Sequence, residues 1–395
     1  MMMRILLVVL FLTIYIGTHV YAASRLGKLL RVKNPRILRL LFLIGAVSFP
    51  HARMLFRSTA NILTAVYHLV AATWIGMLLY LLVFLVGFDI LVFVFKRKRR
   101  RKSTPVEGGR AASAAHEGPV DHLQDRVGKK AAAVILILTV LISVYSMWNA
   151  STFEVNRIDI PLEGIEKEIK ILHISDLHIG AFRGKSYLEK IVTAANRLRP
   201  DLILITGDMI DSKHALTEDT FSPLKKLEAP VYFTMGNHEA YSGLGKSQEV
   251  MTAQNVRVLS NEIIETHGIQ LIGLDYMRAE RESFDMHSIN KATIKEVLPT
   301  LNISKNKPTI LMHHSPAGIE YVNRHGINLM LAGHTHGGQF FPVTCLIALI
   351  FPHNNGLYNY KGTYLHVSPG AGTFGPRMRF LTNNEITLIC LKKKK

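Results

Sequence analysis

Apolar residues along this chain cluster at two length scales, that of a membrane span and that of a buried strand. Ile5 to Ala23 holds no Lys, Arg, Asp or Glu, and Ala131 to Trp148 is a second such run. Each is close to the roughly 20 residues that a bilayer-spanning helix needs. Ile62 to Phe95 is apolar apart from His68 and Asp89 and exceeds one span, so a tilted or protruding helix is expected. Leu40 to Pro50, flanked by Arg39 and Arg53, reads equally as a span or as a buried amphipathic segment. After Asn149 the apolar runs shorten to strand length: Ile169 to Ser175, Leu202 to Thr206, Val231 to Met235, Thr309 to Met312 and Asn328 to Ala332. Leu188, Ile191, Val192, Ala195 and Leu198 follow helical spacing between the first two, which predicts a β-α-β unit. Tyr364 to Ser368 and Glu385 to Leu391 read as further strands around a Gly-Pro-rich loop. An α/β sheet with helices on its faces follows, and sites in such folds lie at the carboxyl ends of strands.

The expected organisation is about three transmembrane helices over 1–95, a basic loop over 96–130, a last transmembrane helix over 131–149, and an α/β domain over 150–395. A hydrophobic share of 48% against 19% charged residues agrees with a membrane protein. The formal charge of +18 at first suggests a nucleic-acid partner, but its distribution does not. It sits in Arg25, Lys28, Arg31, Lys33 and Arg36, in the 96–130 segment with its run Lys96 to Lys102, and in the tail Lys392 to Lys395. Positive residues collect in short cytoplasmic loops, so this is a topology signal and no nucleic-acid partner is implied. Ile5 to Ala23 then reads as an uncleaved span with its N-terminus outside, rather than a signal peptide, because a basic segment follows it. With 96–130 as a disordered loop inside and one further crossing, the domain after about residue 150 lies on the extracytoplasmic side of a bacterial inner or plasma membrane.

Each of the five strand candidates ends in potential ligands. They are Asp176 and His178; Asp208 and Asp211 in Gly207-Asp208-Met209-Ile210-Asp211; Asn237 and His238 in Gly236-Asn237-His238-Glu239; His313 and His314; and His334 and His336 in Gly333-His334-Thr335-His336-Gly337-Gly338-Gln339. Strand alternation would point Asp176 and His178 to one face. With only Cys345 and Cys390 available, any ion must be held by oxygen and imidazole nitrogen. That set suits two divalent ions among Mn, Fe, Zn and Co rather than Ca. Two such ions about 3.5 to 4 Å apart bind phosphoryl oxygens and supply a hydroxide nucleophile near neutral pH. Asp208, alone behind a glycine, is the candidate for a shared carboxylate. His238 is the candidate catalytic imidazole, protonating the leaving oxygen or stabilising the transition state.

The ordered motifs Asp-x-His, Gly-Asp-x-x-Asp, Gly-Asn-His-Glu, His-x-Pro and Gly-His-x-His resemble those of the calcineurin-like metallophosphoesterases over about residues 165 to 391. Ile174-Ser175-Asp176-Leu177-His178 and the Gly333–Gln339 motif resemble the membrane-associated bacterial branch with YkuE- and YaeI-like phosphodiesterases. The resemblance implies a β-sandwich flanked by helices. It implies that Asp176, His178 and His336 hold one ion with Asp208, and that Asn237, His314 and His334 hold the second with the same Asp208. It implies hydrolysis of a phosphate ester, such as a phosphodiester or phospholipid-type substrate at the membrane surface. The alternatives are a cytoplasmic-face pyrophosphatase acting on a nucleotide-diphospho-lipid, and a non-catalytic sensor or transport-associated protein.

Other polar residues have plainer expectations. His173 reads as a core histidine and His313 as a packing residue. Asp211 reads as a partner that orients a ligand or as a helix cap, and Asp89 as a charge tolerated at a helix end. Arg377 and Arg379 could bind a substrate phosphate, although a solvated surface is the better reading. The apolar run Phe340 to Phe351 is expected as a buried strand or as a segment dipping into the membrane interface.

Overall fold

The computed structural model describes residues 2–59, 61–102, 120–283 and 290–394. It forms two compact units, Met1–Tyr145 and Ser146–Lys395. The first is built from helices α1 (Met2–Leu30), α2 (Pro35–Ser58), α3 (Ile62–Lys102) and α4 (Val120–Asn149), the last of which continues from Ser146 into the second unit. Within them Val9–Leu30, Pro35–Phe56, Ile62–Phe95 and Gly128–Asn149 are long and apolar enough to cross a membrane. Small residues let these helices approach. A Cβ on Gly45 of α2 would fall 2.3 Å from Trp74 Nε1 of α3, and Ala22, Ala23 and Ala132 lie in the buried cluster with Leu78, Leu81 and Leu85.

Several helix limits differ from expectation. The ambiguous stretch around Leu40 to Pro50 is part of a full-length helix, started by Asn34, whose side chain accepts from Arg36 N. α3 continues through the basic run to Lys102, and helix resumes at Val120, so only 103–119 of the expected loop is left, and those residues lie outside the described set. Lys and Arg are good helix formers, so a basic run marks a change of solvent without ending the helix. Asp89 is ion-paired: Arg25 Nη2 and Nε both reach its Oδ1, and Tyr21 OH donates to its Oδ2 at 2.9 Å.

Among the described residues the second unit has twelve strands in two six-stranded sheets. They are β1 (Glu154–Leu162), β2 (Ile169–Ile174), β3 (Leu202–Thr206), β4 (Val231–Thr234), β5 (Val256–Val258), β6 (Glu262–Thr266), β7 (Ile269–Gly273), β8 (Thr309–Met312), β9 (Leu329–Ala332), β10 (Gly356–Tyr360), β11 (Thr363–Val367) and β12 (Glu385–Lys393). One sheet has the order β1-β12-β2-β3-β4-β5 and the other β10-β11-β9-β8-β7-β6. β2, β3 and β4 run parallel, as do β7, β8, β9 and β11. The expected helix is α5 (Lys185–Leu198), which buries Leu188, Ile191, Val192 and Ala195.

The continuous apolar runs make sense because both faces of each central strand are covered. Leu202 and Leu204 of β3 point into the core between the sheets, with Ile171, Leu271, Ile310 and Leu331. Ile203 and Ile205 point the other way, beneath α5 with Leu188 and Ile191. A third layer behind the second sheet packs Leu311, Met330 and Leu365 against Ile294, Ile319 and Val322. The unpredicted β1 is an edge strand, exposed along most of its length, so it lacks the apolar alternation that signals a strand.

Phe340 to Phe351 does not form a buried strand. Val343–Ile350 is a helix with no buried residue. Short apolar runs carry no periodicity that separates the two outcomes.

Leu204, fully buried between the sheets, provides a test of this packing. Leu204→Ala is expected to destabilise the unit by about 2–5 kcal/mol, read from denaturant unfolding midpoints.

Candidate metal centre

Five parallel strands deliver their carboxyl ends to one place. Asp176 and His178 follow β2, Asp208 follows β3, Asn237 follows β4, His314 follows β8, and His334 and His336 follow β9. β2 stops at Ile174, so strand alternation is not what aims Asp176 and His178 together. Both have left-handed backbones, with φ of 53° and 48°, and Asp208 (52°), His334 (72°) and His336 (52°) share that conformation. Non-glycine residues rarely adopt it, and such strain concentrates at functional sites. Here it folds the chain back so that ligands one residue apart face one centre. Two glycines clear the space. A Cβ on Gly236 would lie 2.2 Å from Asp208 Oδ1, and one on Gly333 would lie 2.0 Å from Ser175 Oγ and 2.1 Å from Asp176 Oδ2.

The donor atoms fall into overlapping groups within 4.8 Å: Asp176 with His178 and His336, Asp176 with Asp208 and His314, and His178 with Asp208 and His238. His178 Nε2 and His336 Nε2 are 3.0 Å apart, and His336 Nε2 is 3.3 Å from Asp176 Oδ1. Asp208, a member of two of these groups, has its Oδ2 3.2 Å from His314 Nε2 and 3.8 Å from His178 Nε2. Two donors at right angles around an ion, each bonded at about 2.1 Å, would be about 3.0 Å apart, so these separations fit divalent coordination. Asn237 Oδ1 is buried without a hydrogen-bond partner. Buried polar atoms are ordinarily paired, so it fits a metal-ligand position.

The remaining expected residues sit around this core. The His334 ring is edge-on to His314 at 5.0 Å, and its backbone N donates to Asp176 Oδ2 at 3.0 Å. His334 is absent from the donor groups formed among the described residues. The half-buried His238 is edge-on to His178 at 4.5 Å, and its backbone N donates to Asp208 Oδ1 at 2.9 Å. Asp211 Oδ1 lies 3.8 Å from His178 Nδ1, on the side away from the centre. His313 turns away: its Nδ1 is 2.8 Å from Ser315 O, and Met277 N donates to its Nε2 at 3.3 Å. His173 is buried against His366 and Thr206.

The centre's electrostatics follow from gathering these groups in a dry place. Burial raises Asp176 to about 6, with the Asp208 charge adding to it and His314 opposing. Burial lowers His178 and His336 well below the usual imidazole range, so both are neutral donors. For His314, burial pulls downward but the Asp208 and Asp176 carboxylates prevail and push it up to about 10. For Asp208, burial pulls upward, yet the imidazoles of His314 and His238 hold it well below the usual range. His314 Nδ1 donates to Thr206 O at 2.7 Å, so Nε2 is the nitrogen presented to the carboxylates.

Two supporting residues went unassigned or misread in the sequence. Glu239 is fully buried and accepts from Gly236 N (2.7 Å), Asp208 N (2.9 Å) and Ile210 N (3.2 Å). It ties the Asp208 and Asn237 turns together, and burial with the Asp208 charge raises its carboxyl to about 7. Its signal was available as the acidic residue three positions after Gly236, the spacing of a capping box. Arg379, expected at a solvated surface, is fully buried. Its guanidinium donates to His336 O (2.8 Å), Pro369 O (2.5 Å), Gly372 O (2.7 Å) and Asn384 Oδ1 (3.0 Å). These acceptors come from three separate segments, so local sequence could not place it inside.

Ligation of His314 Nε2 requires loss of its proton, which is present below about pH 10. Metal affinity is therefore expected to rise with pH, by about tenfold per unit for one released proton, and to level off above about pH 10. Below about pH 6, protonation of Asp176 steepens the dependence. Calorimetric titration in buffers of different ionisation enthalpy measures the released protons; an affinity flat from pH 6 to 9 contradicts this account.

Comparison with known proteins gives the family. The calcineurin-like phosphoesterase family matches residues 169–338. An uncharacterized metallophosphoesterase of Helicobacter pylori (strain ATCC 700392 / 26695) is 33% identical over 246 residues, covering 61% of this chain and 64% of that protein. A transmembrane protein with metallophosphoesterase domain from Danio rerio is 32% identical over 276 residues, covering 65% and 62%. An uncharacterized metallophosphoesterase of Aquifex aeolicus (strain VF5) is 30% identical over 270 residues, covering 66% of this chain and 99% of that protein. The chain thus spans a little under two thirds of the Helicobacter and Danio relatives and nearly all of the Aquifex one. From its ordered ligand turns and these likenesses, the chain belongs to the calcineurin-like metallophosphoesterases.

Proposed function

We propose that the protein is a membrane-anchored, metal-dependent phosphoester hydrolase with a dinuclear centre facing away from the cytoplasm. The observation that carries this reading is Asp208, whose buried carboxylate oxygen Oδ2 lies within 4 Å of two imidazole nitrogens, 3.2 Å from His314 Nε2 and 3.8 Å from His178 Nε2. Asp176, His178 and His336 are suited to one ion, and Asn237, His314 and His334 to the second, with Asp208 common to both. When bound, such ions draw electrons from phosphoryl oxygens and lower the pKa of water. The chain's own residues position the rest. Thr206 O sets the tautomer of His314, Asp211 faces the outer nitrogen of His178, and Glu239 holds the turns that carry Asp208 and Asn237. His238 remains partly exposed beside the centre, where its imidazole can pass a proton to the leaving oxygen.

Sidedness is supported by the four apolar helices. With four crossings, the connection around Arg31 and Lys33 and the one after Lys96–Lys102 fall on the same side of the membrane. Both are strongly basic, which favours the cytoplasm, and residues beyond Asn149 then fall on the opposite side.

Asp208→Asn and His336→Ala are expected to abolish turnover and metal occupancy together. His238→Ala is expected to keep its metal and lose about 10²- to 10⁴-fold in rate. Purified full-length protein loaded with Mn, Fe, Zn or Co and offered a phosphomonoester, a phosphodiester and a pyrophosphate measures both. Full activity in Asp208→Asn would sink the site assignment. For sidedness, protease added to intact spheroplasts is expected to digest the phosphoesterase unit. Protection would favour a cytoplasmic-face pyrophosphatase.

A further inference from the structure

The phosphoesterase unit has an uncovered apolar surface that begins at the metal donors. On the helix Val343–Ile350, Leu346, Leu349 and Ile350 are 58%, 83% and 61% exposed. Residues 340–352 contain no charged side chain. A neighbouring loop adds Phe374 at 45% and Leu381 at 74% exposed. The two stretches are stitched together: Phe341 N donates to Phe380 O, Phe380 N to Gln339 O, and Gln339 Nε2 to Phe374 O and Pro376 O. Inward from the surface, Phe351 meets the His334 ring at 5.8 Å, and Phe374 meets His336 at 4.9 Å and His178 at 6.1 Å.

What covers this surface follows from where the loop is fastened. Arg379 N donates to Ser146 O at 2.8 Å, and Asn149 Nδ2 donates to Arg379 O at 3.3 Å and Thr382 O at 3.1 Å. Ser146 to Asn149 close the stretch Gly128–Asn149, which is long and apolar enough to cross a membrane, yet they belong to the phosphoesterase unit. Trp148 in that turn is 62% exposed, a residue type favoured at bilayer interfaces. The loop carrying Leu381 is therefore hydrogen-bonded to the residues that end this apolar stretch, and Gln339 and Phe341, which lead into the apolar helix, are bonded to that loop. A charge-free apolar helix held there suits shallow burial in a lipid interface.

We propose that the helix Val343–Ile350, together with Leu381, lies in the interfacial layer of the bilayer. The substrate class that follows is an amphiphile, whose phosphoester reaches the donors from the lipid while its chains lie along Phe351 and Phe374. The substrate half rests on the phosphoesterase reading above; the surface half does not.

The exposed thiol Cys345 lies on this helix, whereas Cys390 is buried, so a nitroxide label on the unaltered full-length protein reports the surface directly. In phosphatidylethanolamine–phosphatidylglycerol vesicles, the label is expected to collide more often with oxygen than with a water-soluble nickel chelate. Nickel access equal to that of a solvated label overturns the membrane contact, whatever the activity. For the substrate, the triple variant Leu346→Ser, Leu349→Ser, Ile350→Ser is expected to cleave bis(4-nitrophenyl) phosphate within about twofold of the parent and a vesicle-borne phosphatidyl-4-nitrophenol at least about tenfold more slowly. Unchanged cleavage of the lipid ester overturns the substrate class. If the parent cleaves neither these esters nor the phosphomonoester and pyrophosphate above while the label reads apolar, the phosphoesterase reading fails and the membrane contact stands.

Discussion

The structure of the phosphoesterase unit depends on placing Asp176 and Asp208, two wholly or almost wholly buried carboxylates, against three buried imidazoles at one end of a sandwich. Isolated carboxylates resist leaving water. They are tolerated here because the donors converge on positions suited to cations, and the raised basicity of His314 offsets one of the two charges. Everything around them keeps this arrangement from relaxing. The left-handed turns, the glycines without room for a side chain and the parallel strands beneath all bring like-minded ligands together.

The second layer of support is made of single charged residues that bind backbone. Glu239 accepts three N–H groups from the Asp208 and Asn237 turns, and Arg379 donates to carbonyls of the His336 and Gly370–Gly372 segments. One is an anion on donors and the other a cation on acceptors, so together they brace both ends of the ligand set. Hydrogen bonds to a charged group are stronger than neutral ones, which suits residues that hold strained turns. Arg379 also lies in the loop fastened to Ser146 and Asn149. The loop that braces His336 is thus the one tied to the end of the last apolar stretch.

How far the fold was legible tracks how local its causes are. Five buried strands and α5 could be read from apolar runs and helical spacing, because both faces of those strands are covered. The edge strand β1 could not, since exposure removed its alternation. Helix ends in the apolar unit were misplaced where basic residues continue α3 to Lys102. Phe340 to Phe351 was open between a buried strand and a segment at the membrane interface, because a short apolar run carries no periodicity that decides, and Val343–Ile350 proves to be a helix with no buried residue.

By itself the sequence determined five candidate donor turns, their order and the residue types within them, because each is a short run of donors at the end of an apolar segment. It also determined three apolar stretches of spanning length, because length and composition are local properties, and left Leu40 to Pro50 open. Tertiary structure alone decided the rest. It put Asp208 beside both His314 and His178, residues that lie far apart along the chain. It turned Asp176 and His178 inward by left-handed backbone rather than by strand alternation, and it buried Arg379 among carbonyls from distant segments. Those outcomes depend on which surfaces meet, and no stretch of residues carries that information until the sheets have packed.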